Sequence, residues 1–145
     1  DKGLEDGIAE GMAVVNENLV VFGKIEKVYK KFSRVSILSS SNSVINVRVQ
    51  PKGGEDNTKI VGVVRGGGNM TAYLDLIQID KNIDSGDIIL TSSIEKSFPK
   101  DLLVGEVSQK RKNDQEPFQQ AGIRLFLDLK SADNLFVLTN FKQEE

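Results

Sequence analysis

The sequence predicts an all-β fold, made of two small, packed, six-stranded β-barrel-like subdomains. Its 145 residues suit one ordinary domain, or two very small ones that share a core. Short apolar runs recur at spacings of roughly 8 to 15 residues, which is typical of sandwiches and barrels. No run keeps the 3.6-residue period of a helix for long, and turn-forming residues separate the runs.

The predicted strands follow one another along the whole chain. They are residues 18–25, 33–38, 44–50, 60–65, 71–79, 88–91, 102–107, 122–129 and 134–138. The run 44–50 shows why: Ile45, Val47 and Val49 alternate with polar residues, as in a half-buried strand. Glycines at four-residue spacing weaken any helix before residue 12, so we interpret that segment as a turn or one loose helical turn that leads into the first strand.

A weak internal repeat favours two subdomains of similar build. Gly11 begins a short apolar run that leads to Gly23, and Gly86 begins another that leads to Gly105. Barrels this small are stable only when they pack on each other. We place the boundary between Ser41 and Val44, so residues 1–43 form the first subdomain and 44–145 the second. In an alternative that stays open, the C-terminal strands return to the first subdomain.

The composition excludes several classes of chemistry. The chain has no His and no Cys, which excludes Ser-His-Asp and Cys-His catalysis, the usual zinc sites and disulfides. Its net charge of -2 argues against a nucleic-acid binder. We therefore predict no catalytic residue, no cofactor and no metal site.

Three motifs have a plain structural explanation. The glycines at 66–68 lack the spacing of a phosphate-binding loop. Asp84 and Asp87 flank Gly86, where aspartates usually bind backbone amides of a turn. The basic cluster at 110–112 is followed by acidic residues and has no interleaved aromatic side chains.

The segment 97–107 has a distinctive local design. Pro99 favours an extended entry, and Gly105 indicates a bulge or a close backbone approach. We interpret this segment as a structural corner.

An ordered set of short motifs resembles the family of the rod shape-determining protein MreC. The motifs are residues 1–3, 6–8, 11–16, 23–25, 28, 33–35, 42–43, 47–49, 62–64, 66, 74–79, 84–92, 98–100 and 104–107. They cover nearly the whole chain in the family's order. The structural signature of the family consists, in this chain, of Gly11, Gly23, Gly86, Asp87, Pro99 and Gly105. The chain departs at Ser93 and Asp101, where the family usually has Gly, so local turn geometry there is open.

The resemblance implies a non-catalytic scaffold outside the cell membrane. Such proteins help to maintain cell shape by organising lateral peptidoglycan synthesis in the cell-elongation (rod) complex. Implied partners are a class B penicillin-binding protein, MreD with other rod-complex membrane proteins, and a second copy of the chain. An N-terminal membrane helix and a coiled coil, both absent from this sequence, would anchor it in the periplasm or on the outer face of the membrane.

A scaffold needs surfaces for assembly. Exposed strand edges are pairing sites unless they are blocked. We predict that assembly uses sheet edges and the apolar residues Phe98, Phe118 and Phe141. Two alternatives stay open at this stage: a β-barrel ligand-binding module of an exported protein, and a His-free hydrolase that uses Asp or Lys.

Overall fold

The computed structural model describes residues 1–53, 59–92, 98–111, 115–131 and 134–139. Strands dominate these residues, and two short 3₁₀ helices lie at Leu4–Asp6 and Leu129–Ser131. The strands are β1 (Ala13–Val15), β2 (Val21–Val28), β3 (Ser33–Ile37), β4 (Val44–Gln50), β5 (Ile60–Gly68), β6 (Thr71–Gln78), β7 (Ile88–Thr91), β8 (Leu103–Arg111), β9 (Phe118–Leu125) and β10 (Phe136–Val137). The all-β prediction is confirmed.

Six strands close into a barrel in the order β4-β5-β6-β9-β8-β7. All neighbouring pairs are antiparallel, so every barrel strand has a partner on both sides. The predicted alternation in β4 is present, because Ile45, Val47 and Val49 all point inward and are at most 2% exposed. Aliphatic side chains from all six strands fill the interior, as expected of a small barrel.

The other strands form an antiparallel sheet in the order β10-β1-β2-β3. One face of this sheet carries Ala13, Val15 and Val21, which pack into the same core as the barrel. The opposite face carries Val14 and Phe22, which belong to a smaller core. Both faces of the sheet are therefore covered, and one of them depends on the barrel.

The prediction of two barrel-like subdomains needs one correction. Residues 44–125 supply all six barrel strands, whereas residues 1–43 supply three strands and form no six-stranded barrel. The fourth strand of the sheet, β10, comes from the C-terminal part of the chain and pairs with β1. Four short strands are too few to curl into a closed cylinder, so the sheet stays open. The division of the chain at residue 43 stays a prediction.

The link between sheet and barrel, residues 38–43, lies directly against β5. The Gly66 N–H donates to the carbonyl of Ser43 at 3.0 Å, and the Gly68 N–H donates to the carbonyl of Ser39 at 2.8 Å. A Cβ at Gly66 would collide with the carbonyl of Ser40. Gly66 therefore serves this close contact, whereas Gly68 has a φ of 76°, in the left-handed region.

Candidate interaction surface

The four signature glycines shape the backbone. Gly23 in β2 and Gly105 in β8 lie so close to carbonyl groups of the neighbouring strands that a Cβ would collide with them. Gly11 and Gly86 have φ angles of 87° and 94°, in the left-handed region. These placements support a structural role for all four residues.

Asp87 is a buried carboxylate in the turn before β7. It is 4% exposed, and its two oxygens accept hydrogen bonds from the N–H groups of Lys52 at 3.0 Å and Asp84 at 2.7 Å. The Asp84 side chain accepts a hydrogen bond from Lys110 Nζ at 3.2 Å. This pair of carboxylates therefore holds a turn, which is a frequent task of Asp.

Pro99 lies in a hydrogen-bonded corner between β7 and β8. Thr91 Oγ1 donates to the Pro99 carbonyl at 2.7 Å and accepts from the Leu102 N–H at 2.9 Å. Asp101 has a φ of 65°, in the region that favours Gly. Asp tolerates this region better than most residues do, and here its carboxylate also accepts a hydrogen bond from Arg48 Nε at 2.9 Å.

The three phenylalanines predicted to lie on an interaction surface differ in their placement. Phe98 is 3% exposed and packs in the barrel core, so its predicted surface position is wrong. The corner turns its ring inward, where burial removes a large apolar area from water. Phe118, at the start of β9, is 44% exposed. Phe141, like Ser93, lies outside the described residues.

An open groove lies beside Phe118 on the outer face of the barrel. Its volume is about 450 Å³, and it is lined by Lys59, Val61, Leu76, Gln78, Lys81 and Phe118. Val61, Leu76 and Phe118 come from the adjacent strands β5, β6 and β9, and they are 36%, 40% and 44% exposed. Clustered exposure of large apolar side chains is a feature of protein-binding surfaces. We call this feature the apolar groove.

A β-bulge in β6 places Leu76 in the apolar groove. The pairing of β6 with β9 shifts register between Leu74 and Ile77, and Leu76 has a φ of 58°. A leucine in this left-handed region costs about 1–2 kcal/mol. A Cβ at Gly62 would lie 2.5 Å from Ile77 Cδ1 and 2.6 Å from the Asp75 carbonyl oxygen, so the bulge also requires glycine on the neighbouring strand.

An ion pair beside the bulge connects three barrel strands. Arg65 Nε of β5 donates to Asp75 Oδ2 at 2.9 Å, while the Leu76 N–H and Gln120 Nε2 of β9 donate to Asp75 Oδ1 at 2.8 and 3.2 Å. Burial raises the pKa of Asp75, but these hydrogen bonds and the charge of Arg65 outweigh it and hold the pKa below its ordinary value. The ionised carboxylate thus fixes the conformation of the bulge at neutral pH.

A buried glutamine fixes the rim of the apolar groove. Gln119 is 2% exposed, and its Nε2 donates to the carbonyls of Gln78 at 3.1 Å and Lys81 at 2.6 Å. These bonds hold the turn that carries Lys81, and Lys59 lies just before β5. Among the residues the structure describes, no carboxylate lines the groove and neither lysine has an ion-pair partner. The charged side chains among the described lining residues are therefore both lysines.

The remaining sequence motifs add no site of another kind. Lys110 pairs with Asp84, Arg111 ends β8, and Lys112 lies outside the described residues. No group of three or more Asp or Glu side chains in the described part of the chain is placed to hold a metal ion. In the same part, no helix has the length and apolar character needed to cross a membrane.

The sequence predictions include Phe118 but none of the other residues that line the groove. One pattern in the sequence does point to the bulge. In the predicted strand 71–79, Leu76 and Ile77 are adjacent apolar residues and break the period of two. A broken period inside a strand is typical of a bulge.

Comparisons with known sequences agree on one family. The family model described as "Rod shape-determining protein MreC, barrel core" matches residues 1–139. The cell shape-determining protein MreC of Cereibacter sphaeroides is 30% identical over 142 residues, which are 98% of this chain and 43% of that protein. The chain therefore spans less than half of the length of this relative.

Solved structures share the fold. The major periplasmic domain from the cell shape-determining filament MreC has a TM-score of 0.75 at 22% identity, covering 88% of this chain and 76% of that one. The complex between Penicillin-Binding Protein (PBP2) and MreC from Helicobacter pylori contains a match with a TM-score of 0.72 at 19% identity, covering 90% of this chain and 79% of that one. The family match spans nearly every residue, and the fold agrees with it: the chain belongs to the rod shape-determining protein MreC family.

Proposed function

We propose that this chain is a non-catalytic scaffold that binds proteins of the cell-elongation (rod) complex and so helps to maintain cell shape. The observation that carries the proposal is the apolar groove, where Val61, Leu76 and Phe118 stay exposed on the outer wall of a closed barrel. Such a surface suits contact with another protein. In this proposal the chain organises lateral peptidoglycan synthesis through protein-protein contacts and catalyses no reaction.

The placement of the ionisable groups supports a scaffold over a hydrolase. Asp87 accepts hydrogen bonds from the backbone amide of Asp84 in its own turn and from that of Lys52 after β4, and Asp75 is held ionised by Arg65. General acid-base catalysis needs a group that gains and loses a proton near the working pH. A carboxyl group with a lowered pKa does not meet that need.

The first partner we propose is a class B penicillin-binding protein. The solved complex of PBP2 with MreC from Helicobacter pylori supports this partner, because this chain shares the fold of the MreC in that complex. MreD, other membrane proteins of the rod complex and a second copy of this chain are further partners. A filament-forming relative supports self-association. Nucleic acid is not among the partners of a chain with a net charge of -2.

We place this scaffold outside the cell membrane. A relative of the same fold is a periplasmic domain, which supports the periplasm or the outer face of the membrane. A membrane helix N-terminal to this sequence would anchor it. We also propose that residues 1–43 and 44–145 act as two subdomains, with β10 returning to the first.

The alternative function, a module for a small ligand, has weaker support. A small-ligand site is usually a concave pocket that encloses most of its ligand and carries a few convergent polar groups. The apolar groove is open, and its polar contributions are two lysines and Gln78 at the rim.

Titration calorimetry tests the proposed function. The 145-residue chain is titrated with the extracytoplasmic region of the class B penicillin-binding protein from the same organism. The proposal predicts saturable binding with one site per chain. No heat and no complex on size-exclusion chromatography, with both proteins folded, would contradict it.

A further inference from the structure

We propose that Met70 is an oxidation site, and that its sulfoxide tightens the contact between the barrel and the link formed by residues 38–43. The reagent is a peroxide, and the atom that it modifies is Met70 Sγ. Three features support this site: the exposure of Met70, the hydrogen bond that its sulfur accepts, and the position of that bond between the sheet and the barrel. The site is independent of the partners proposed above.

Met70 lies in the turn between β5 and β6. Asn69 and Met70 have φ angles of 50° and 62°, and Gly68 is paired with Thr71 on either side of them. Two left-handed residues in a row form the tight two-residue turn of a hairpin. Met70 is 42% exposed in this turn, so a small dissolved oxidant has access to it. The chain has no Cys, and therefore no thiol of its own competes for the oxidant.

The Met70 sulfur connects this turn to the link. Ser39 Oγ donates a hydrogen bond to Met70 Sγ at 3.6 Å, and Ser39 is only 5% exposed. The Ser39 carbonyl in turn accepts a hydrogen bond from the Gly68 N–H at 2.8 Å. Ser39 therefore holds the β5–β6 hairpin through both its side chain and its main chain. Both bonds cross from the link to the barrel.

Oxidation changes the acceptor of this hydrogen bond and leaves the donor as it is. A lone pair of Met70 Sγ attacks one oxygen of hydrogen peroxide, so an S–O bond forms and the O–O bond breaks. The second oxygen leaves as hydroxide and takes up the remaining proton to give water, so the sulfur loses two electrons and the peroxide gains them. A thioether is a weak acceptor, whereas the sulfoxide is polar. Because the hydroxyl of Ser39 is buried, a stronger acceptor favours the contact.

Met12 provides a comparison within the same chain, which has two methionines in all. It is partly buried and packs against the smaller core. Its Sγ accepts a hydrogen bond from the Ala9 N–H at 3.3 Å, which stays within the N-terminal segment and does not connect the sheet with the barrel. We therefore expect Met12 to be oxidised more slowly than Met70, and its oxidation to leave the link unchanged.

Peptide mass spectrometry of the chain treated with hydrogen peroxide measures the selectivity. In the folded chain we expect Met70 to be oxidised about threefold faster than Met12 or more, because oxidation follows exposure. The control is the chain unfolded in urea, where the two side chains are equally accessible and the difference should disappear. Equal rates in the folded chain, or faster oxidation of Met12, would overturn the assignment of Met70 as the oxidation site.

Hydrogen exchange measures the tightening of the contact. The Met12→Leu variant, in which Met70 is the remaining methionine, is compared before and after peroxide treatment. We expect exchange of residues 38–43 and of Gly68 to slow by about threefold or more, because a tighter contact opens less often. Ser39→Ala in the same background removes the donor and should show no slowing. Met70→Leu keeps the apolar volume without the sulfur, and peroxide should leave exchange of the link in this variant unchanged.

The results of the exchange experiment decide the second part of the proposal. Slowing that depends on both Met70 and Ser39 supports a contact that oxidation tightens. Unchanged or faster exchange of the link after oxidation would overturn the tightening, and so would equal slowing in Ser39→Ala. Binding of a penicillin-binding protein enters neither measurement, so the oxidation site and the proposed function are tested separately.

Discussion

The barrel and the sheet share a core but are held together in different ways. Each of the six barrel strands is paired on both sides, so the barrel is closed on itself. In the sheet, β10 is only two residues long and pairs with β1 through Val14 and Val15, while β3 is the opposite outer strand. The barrel therefore depends on its own pairing, and the sheet depends on the face it shares with the barrel.

This difference explains where an interaction surface can lie. The sheet has apolar side chains packed on both faces. Part of the barrel wall is covered by the sheet and by residues 38–43, whereas the part that carries Val61, Leu76 and Phe118 stays exposed. Closure of the barrel allows a bulge there without opening a sheet edge. The apolar groove and the strained Leu76 are on that wall.

The largest expected effect is in the barrel core. Leu74 is 0% exposed, so Leu74→Ala leaves a cavity inside the closed cylinder. We expect it to lower the free energy of unfolding by about 3–5 kcal/mol, measured by urea denaturation. Leu129→Ala is the control, since Leu129 is 48% exposed and should change the value little. A loss under about 1 kcal/mol for Leu74→Ala would contradict a closed, well-packed interior.

The next effect separates the sheet from the barrel. Ile25 is 2% exposed and packs in the smaller core, so Ile25→Ala should cost about 2–3 kcal/mol, near the lower end for such a change. Hydrogen exchange should accelerate in β1 to β3 and stay slow in the barrel. Binding to the partner should stay within twofold of wild type. Equal acceleration in both regions would show that they unfold as one unit.

A smaller effect depends on pH. The pKa of Asp75 is lowered in the folded chain, so its contribution to stability is present above the unfolded pKa and is lost as pH falls through the folded value. Asp75→Asn should therefore cost about 1–2 kcal/mol at pH 7 and progressively less below about pH 4.

Urea denaturation at pH 7 and at pH 3 measures this difference. The control is Glu26→Gln, which removes a more exposed pair with Arg34 and should have little effect at either pH. A loss from Asp75→Asn that is equal at both pH values would show that the ion pair with Arg65 does not stabilise the barrel wall.

The smallest effect concerns the corner at Asp101. Asp101→Gly relieves the left-handed backbone but removes the ion pair with Arg48, in which both side chains are partly exposed. These contributions oppose each other, so the free energy of unfolding should change by less than about 1 kcal/mol. Asp101→Ala loses the pair without relieving the backbone and should be the less stable variant in thermal melts. The reverse order would contradict the assigned conformation.

Local pattern was sufficient to predict much of the barrel. The expected strands 44–50 and 88–91 match β4 and β7 residue for residue, because an alternating or short apolar run fits the pleat of a strand. The expected strand 122–129 is shifted relative to β9, Phe118–Leu125. Apolar alternation continues past residue 125, where the chain leaves the barrel but still packs against the core.

Two features depend on tertiary structure and were not predictable from local pattern. Phe98 before Pro99 resembles an exposed loop residue, and only closure of the barrel places it inside. The adjacent apolar residues Leu76 and Ile77 point to a bulge, but the left-handed backbone of Leu76 is unusual for leucine and depends on the pairing of β6 with β9. The apolar groove joins the consecutive strands β5 and β6 to β9, which is far from them in sequence, so only the pairing of β6 with β9 assembles it.

We expect the barrel wall, rather than the sheet, to contact the partner. Hydroxyl-radical footprinting of the complex with the penicillin-binding protein tests it directly, because it reports the exposure of side chains. Leu76 and Phe118 represent the wall, and Leu19 and Phe32 are exposed to a similar degree beside the sheet. We expect the partner to protect Leu76 and Phe118 and to leave Leu19 and Phe32 reactive. Protection of Leu19 and Phe32 with unchanged reactivity at the wall would contradict it.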